Sequence, residues 1–247
     1  MSLPSISFIV PCYNEELNLK KTINSILLSL KKLAKINYQI IIIDDGSIDN
    51  TKQIYLESYK NNKQIKFYSN IKNYGLGYSI RRGIKLAQME KLIFIPGDND
   101  LKQEIITELI KHCNQADLVI TYFINDEIRG RNRLLISTIF NLIYQYSFNI
   151  FLKYINGPAI YNTKALKKLN LHSNKFSIIA EINIKLLRSG ISYIELPSYR
   201  QNGLNGCSPI NVSSFIETIN IYIRTLIDVY LLKRNLYKNS PKRNLKI

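Results

Sequence analysis

Three short polar segments bring carboxylates together, and each follows an apolar run. Tyr13-Asn14-Glu15-Glu16 follows residues 6–10 (ISFIV), and Asp44-Asp45-Gly46-Ser47 follows residues 38–43 (YQIIII). Pro96-Gly97-Asp98-Asn99-Asp100 follows residues 92–95 (LIFI). Carboxylates two residues apart on an irregular turn can point one way and hold a hard divalent cation through oxygen. Mg²⁺ or Mn²⁺ held in this manner shares its shell with substrate phosphates. Any single pair could be no more than a helix N-cap. Two pairs, with Asn14-Glu15 at a third strand end, argue for one shared pocket. Gly75-x-Gly77, with Arg81 in the helix that follows, offers backbone N–H groups and a cation to phosphate. That turn alone is weak, because a glycine turn before a helix is common.

The elements that must position these residues alternate in type. Strands are expected at residues 6–10, 38–43, 65–68, 92–95 and 118–122. Helices are expected from 14 or 15 to about 33, from 51 to about 59, over 78–87 and over 101–113. Strands alternating with helices imply a three-layer α/β sandwich with a mostly parallel central sheet. Ligands then bind at the carboxyl ends of the strands, where all three acidic segments fall.

After residue 125 the pattern changes. Residues 134–152 carry no charge and have a polar stripe at Thr138, Asn141, Gln145 and Asn149. Six polar residues in that stretch make it a poor transmembrane span; it could lie in a membrane interface or cover the sheet. Residues 212–232 repeat the theme, with a stripe at Ser213, Glu217, Asn220, Arg224 and Asp228. Between them, 176–189 reads as a helix and 191–196 as a strand. The chain carries a net charge of +16. Residues 126–247 hold 18 basic and 6 acidic residues, against 16 and 12 in residues 1–125. The last 15 residues hold six basic residues and no acid. Such a half suits an anionic partner or a merely solvated surface. A nucleic acid is not expected, because no RNP-like, helix-turn-helix or zinc spacing is present. The three cysteines, Cys12, Cys113 and Cys207, are too scattered for a disulfide framework and imply a reduced, cytosolic setting. The N-terminus lacks the basic region of a signal peptide. His112 and His172 stand alone and read as surface residues.

The order VPCYNEE, IIIDDGSIDNT, NYGLGYSIRRGI and IFIPGDND resembles family 2 glycosyltransferases of the GT-A fold. Within them it is most similar to the dolichyl-phosphate mannose synthase and polyprenyl-phosphate glycosyltransferase branch. The likeness is strong over residues 4–125 and continues more weakly through 156–166, 176–200 and 202–208. It implies a Rossmann-like GT-A sandwich with C-terminal amphipathic helices. Residues 1–125 would form a nucleotide-sugar-binding half and 126–210 the acceptor-binding half of the same domain. Residues 211–247 would form a membrane-proximal helix and basic tail.

The resemblance also assigns roles. Pro11, Tyr13 and Glu15 would line the nucleoside pocket, and Asp44, with Asp45, would contact the base or ribose. Arg81 would approach the diphosphate. Asp98 and Asp100 would bind Mg²⁺ or Mn²⁺, and Arg131, Arg133 and Arg200 would meet acceptor or donor phosphates. One departure stands out: aligned on the strand, Pro96 replaces the first Asp of the family's Asp-x-Asp, which puts metal dependence in question. The implied reaction is inverting transfer from a GDP- or UDP-sugar to a polyprenyl phosphate, at the cytosolic face of an anionic membrane. A phosphate acceptor, with second pKa about 6, needs no strong base. A sugar hydroxyl would need one, with Glu181 the foremost candidate and Asp126 and Glu127 weaker ones. The alternatives are a transferase of the same fold acting on a saccharide hydroxyl in cell-surface polysaccharide assembly, and a non-catalytic membrane-binding homologue.

Overall fold

Uninterrupted runs of Ile, Val and Phe cannot lie half in water, so the strands they form must be covered on both faces. The computed structural model describes residues 3–33, 35–125, 130–199 and 212–244. Its strands are β1 (Ile6–Cys12), β2 (Tyr38–Asp44), β3 (Ile65–Ser69), β4 (Lys91–Phe94), β5 (Leu118–Phe123), β6 (Ala159–Asn162), β7 (Ser192–Ser198) and β8 (Lys242–Arg243). They form one sheet in the order β3-β2-β1-β4-β6-β5-β7-β8. β1 is parallel to β2 and β4, and β5 is parallel to β7. β6 runs antiparallel to both its neighbours, β4 and β5.

The helices are α1 (Leu19–Lys31), α2 (Thr51–Ser58), α3 (Leu76–Leu86), α4 (Gln103–Lys111), α5 (Arg131–Phe148), α6 (Thr163–Lys167), α7 (Ile178–Arg188), α8 (Val212–Ile227) and α9 (Arg234–Tyr237). Successive strand residues point to opposite faces. Phe8, Val10, Ile40 and Ile42 therefore pack with Ile23 and Ile26 of α1 and Ile106 and Leu109 of α4. Ile9, Ile41 and Ile43 pack on the other face with Ile80 and Ile84 of α3 and Ile182 of α7. This is the mostly parallel three-layer α/β sandwich that the alternation implied.

Three departures have local causes. α1 begins at Leu19 rather than at 14 or 15, because Asn14 adopts φ 57° and residues 14–16 bond across to the next loop. β6 has no counterpart among the expected strands; four residues after Gly157-Pro158 offer no period to read. It matters because an antiparallel strand carries residues 154–158 to the carboxyl edge of β4 and β5. The polar stripe of residues 134–152 does not face water or lipid throughout. α5 stops where Asn149 turns left-handed at φ 48°, and the chain doubles back beneath it. Asn141 Nδ2 donates to the carbonyls of Leu152 and Lys153 at 3.3 and 3.2 Å, and Gln145 Nε2 to that of Leu152 at 2.6 Å.

The basic tail is partly tied down. Lys242 N donates to Ile191 O at 3.1 Å and Asn244 N to Tyr193 O at 2.8 Å, which adds β8 to the edge of β7. Arg243 pairs with the buried Glu195 at 3.0 Å. No described helix is long and apolar enough to cross a membrane.

Gly157 sits where the return to β6 crosses β5, and a Cβ there would lie 1.9 Å from Thr121 O. Gly157→Ala is expected to lower the unfolding free energy by about 2 kcal/mol or more, because backbone cannot yield as a side chain does. Urea denaturation checks this, and an unchanged midpoint would show that β5 and β6 are not held at this crossing.

Candidate active site

The carboxyl ends of β1, β2 and β4 form the acidic edge. Two loops there are laced together by side chains. Asn14 N donates to Ser47 Oγ at 2.9 Å, Glu15 N to Thr51 Oγ1 at 2.8 Å and Glu16 N to Asp49 Oδ2 at 3.0 Å. In return Ile48 N donates to Asn14 Oδ1 and Asn50 N to Glu16 Oε2, both at 3.0 Å. The PGDND turn is pinned from below. Gly97 N donates to Pro11 O at 3.0 Å, and Thr22 Oγ1 of α1 donates to Gly97 O at 2.9 Å. A Cβ on Gly97 would fall 2.8 Å from that of Cys12, so only glycine lets the turn pass so close to β1. Asp98 then accepts from Asp100 N at 3.0 Å, and both carboxylates stand exposed around Asn99, whose φ is 59°.

The electrostatics confirm how crowded with anions this edge is. Burial pushes the Cys12 thiol well up, and Asp44, Glu15, Asp49 and Asp45 add to it. Burial also raises Glu15, with Asp98 and Asp49 reinforcing it against the Asn18 hydrogen bond. Burial alone would raise Asp49 too, but hydrogen bonds from Thr51 and from backbone N–H groups hold it below the usual range. A hard cation and its phosphate ligands suit such an edge. Among the described residues no cluster of three or more His, Cys, Asp or Glu could hold a metal ion. Asp98 and Asp100 would thus supply two oxygens, and the substrate would have to complete the shell.

The structure thus gathers Pro11, Tyr13, Glu15, Asp44, Asp45, Asp98 and Asp100 along one edge. Their freedom differs. Tyr13 is exposed, and Asp44 accepts from Ser47 N at 3.1 Å while buried. Asp45 is fully committed: it accepts from Asn70 Nδ2 at 2.6 Å, Tyr74 N at 3.1 Å and Gly75 N at 2.7 Å. It orders the loop into α3 and is no free ligand. The N–H groups expected to face phosphate are also taken, because Gly77 N and Tyr78 N donate to Asn174 O at 2.8 and 3.3 Å. Arg81 turns away from the acidic edge and donates to Leu171 O at 3.1 Å and to Asn174 Oδ1. Arg131 is exposed in the first turn of α5. Arg133 lies in the same turn, and nothing is described of its side chain. Arg200, Asp126 and Glu127 lie outside the described residues.

Glu181, the candidate base, is not poised for proton transfer. Its side chain is 0% exposed and pairs with Lys185 Nζ at 2.7 Å. It also accepts from His172 N at 3.0 Å and Ser173 N at 2.9 Å. Lys185, equally buried, bonds Asp228 at 2.7 Å and Asn170 O at 2.7 Å. His172 is no surface residue: its Nε2 lies 3.2 Å from Asp228 Oδ2. Burial lowers the His172 pKa, and Lys185 adds to that against Glu181 and Asp228. Burial would raise Asp228, but the hydrogen bond and charge of Lys185 hold it low. Sequence reading placed Asp228 only in a polar stripe and missed Lys185 altogether. An acid and a base four residues apart on a helix, Glu181 and Lys185, were the available signal.

A second feature lies at the carboxyl edge, beyond β6. A cavity of about 280 Å³ is lined by Ile136, Phe140 and Asn141 of α5, by Tyr154, Ile155 and Asn156, and by Phe176, Ser177 and Thr218. Asn156 Oδ1 is buried there without a hydrogen-bond partner. Around it, α5 and α8 expose Leu135, Ile139 and Ile143, and Phe215, Ile219 and Ile223. Exposed apolar residues thus recur along both helices.

The sequence model of the family described as Glycosyl transferase family 2 matches residues 7–172. The chain is 33% identical over 116 residues to the human dolichyl-phosphate beta-glucosyltransferase, covering 44% of this chain and 36% of that one. It is 27% identical to the poly(ribitol-phosphate) beta-N-acetylglucosaminyltransferase TarP of Staphylococcus aureus, covering 98% of this chain and 76% of that one. The chain spans about a third of the length of several curated relatives it matches. Its fold is similar to that of glucosyl-3-phosphoglycerate synthase from Mycobacterium tuberculosis, crystallised with Mn²⁺, UDP and phosphoglyceric acid. The TM-score is 0.62 at 16% identity, over 90% of this chain and 78% of that one.

Two outcomes are expected of the buried cluster. Lys185→Met leaves Glu181 and Asp228 without their cation and should cost about 3–5 kcal/mol of stability in urea titration. Unfolded His172 takes up a proton near pH 6.5 and folded His172 only at lower pH. Between those values the unfolded chain binds more protons, so stability falls as pH falls below about 6.5. Chemical denaturation at pH 7 and pH 5.5 measures the drop, and His172→Gln should shrink it.

Proposed function

The chain belongs to glycosyl transferase family 2, and on that premise we propose that it moves a sugar from a nucleotide-sugar to a polyprenyl phosphate at a membrane surface. The observation that carries this reading is the apolar, charge-poor face of α5 and α8 around a cavity on the same sheet edge as the carboxylate loops. A lipid acceptor needs an enzyme that can lie on a bilayer, and amphipathic helices with basic residues nearby provide that. The likeness to a dolichyl-phosphate glucosyltransferase supports the same acceptor class. The UDP bound to the mycobacterial structure favours a UDP-sugar over a GDP-sugar. The cytosolic membrane face is the corresponding location, with the protein held peripherally.

In this mechanism Tyr13, Glu15 and Asp44 line the nucleoside end. Asp98 and Asp100 would hold Mg²⁺ or Mn²⁺, which offsets charge on the departing nucleoside diphosphate. An acceptor phosphate oxygen attacks the anomeric carbon opposite the leaving group, forming the new C–O bond as the old one breaks, with inversion. A phosphate dianion has no proton to lose at the attacking oxygen, which suits a site whose nearby Glu181 is wholly engaged. Arg131, exposed in the first turn of α5, would meet an acceptor phosphate approaching from the membrane.

A saccharide acceptor is the second reading, favoured by the match to TarP over nearly the whole chain and by the unpartnered Asn156 Oδ1 in the cavity. It would need a base other than Glu181.

The test is incubation with radiolabelled UDP- and GDP-sugars, Mn²⁺ or Mg²⁺, and a polyprenyl phosphate in detergent. Label should enter the organic phase, and Asp98→Ala should reduce that at least about a hundredfold, as losing a stabiliser of transition-state charge does. Metal-stimulated release of nucleoside diphosphate without organic label would move the acceptor to a saccharide. Neither signal with any donor would support a non-catalytic, membrane-binding homologue.

A further inference from the structure

We infer that Glu217 of α8 is a positioning residue for the acceptor, acting through residues 171–177. This rests on the reading of the cavity as the acceptor side. Glu217 Oε1 accepts from Ser173 Oγ at 2.7 Å and from the backbone N–H groups of Asn174 and Lys175, each at 3.2 Å. Its Oε2 accepts from Ser177 Oγ at 3.0 Å. One carboxylate thus clasps a five-residue turn at four points. Two of the residues that turn presents, Phe176 and Ser177, form a wall of the cavity, and Thr218, beside Glu217, forms another part.

The far side of the same segment lies on α3. Asn174 O accepts from Gly77 N and Tyr78 N, and Leu171 O accepts from Arg81. The fit leaves no slack: a Cβ on Gly75 would fall 2.4 Å from Asn174 O, and one on Gly77 2.5 Å from Ser173 O. The segment therefore has one fixed face, against α3, and one face whose position depends on α8. α8 is also the helix whose outer side exposes Phe215, Ile216 and Ile219. Glu217 is the point at which the seating of that helix sets the shape of the cavity. Charge-assisted hydrogen bonds are about twice as strong as neutral ones, so a carboxylate suits the role better than an amide.

The chain has no tryptophan, so Phe176→Trp places a single reporter at the cavity mouth. Its fluorescence is titrated with a short-chain polyprenyl phosphate in detergent, with and without Glu217→Ala or Glu217→Gln. The expected result is a saturable response, weakened about tenfold by Glu217→Ala and roughly threefold by Glu217→Gln. UDP affinity should stay unchanged. A merely structural role would instead lower the melting temperature and the bound fraction for both ligands, with both dissociation constants intact. Equal acceptor affinity in all three proteins would overturn the inference while leaving the transferase reading in place. Absence of any reporter response, with organic-phase transfer retained, would place the acceptor elsewhere and overturn it too. If Glu217→Ala does not fold, Glu217→Gln alone carries the comparison.

Discussion

A buried ammonium ion has no water to fall back on. Lys185 meets that constraint with two carboxylates and a carbonyl, and those partners come from three separate pieces of chain. Glu181 shares its helix, Asn170 opens the segment that crosses to α3, and Asp228 begins the π-helical turn (Asp228–Leu232) that follows α8. Each would cost several kcal/mol to bury alone. Together they tie α7, the segment that follows α6 and the end of α8 to one another.

The two sides of the carboxyl edge are built from opposite materials. Around β1, β2 and β4 the edge is a run of carboxylates, where burial raises the pKa of Glu15 and the charges of Asp98 and Asp49 add to it. Beyond β6 it is aromatic and aliphatic, with single polar atoms set among rings. β6 is the divider. A parallel strand in its place would have carried residues 154–158 to the opposite edge of the sheet, and the cavity would lie on the wrong side of the molecule.

The first half was legible because its physics is local. Short Ile-rich runs bounded by acidic turns and alternating with helices read as buried parallel strands, and the carboxylates then fall at their carboxyl ends. What escaped notice was whether a polar group is spent. Asp45 looks as available as Asp44, yet it is consumed by Asn70, Tyr74 and Gly75. Arg81 has the right type and place for a phosphate, yet it bonds to a segment 90 residues away. Glu181 suffers the same fate. Side-chain commitments of this range leave no period or spacing in the chain. The polar stripe at Glu217 and Asp228 was visible, but its partners lie on elements that sequence alone could not bring near.

The short strand β8 has a consequence for handling the protein. A sheet edge with free N–H and C=O groups invites another molecule to add a strand. Here β7 would be that edge, but Lys242–Arg243 cover part of it, and the Arg243 guanidinium also pairs with Glu195. Lys242–Arg243 therefore occupy backbone groups at the edge as well as bringing charge to it. Trimming the tail to lower the basicity of the chain would bare the backbone of β7 at Ser192 and Tyr193 and leave Glu195 without its cation.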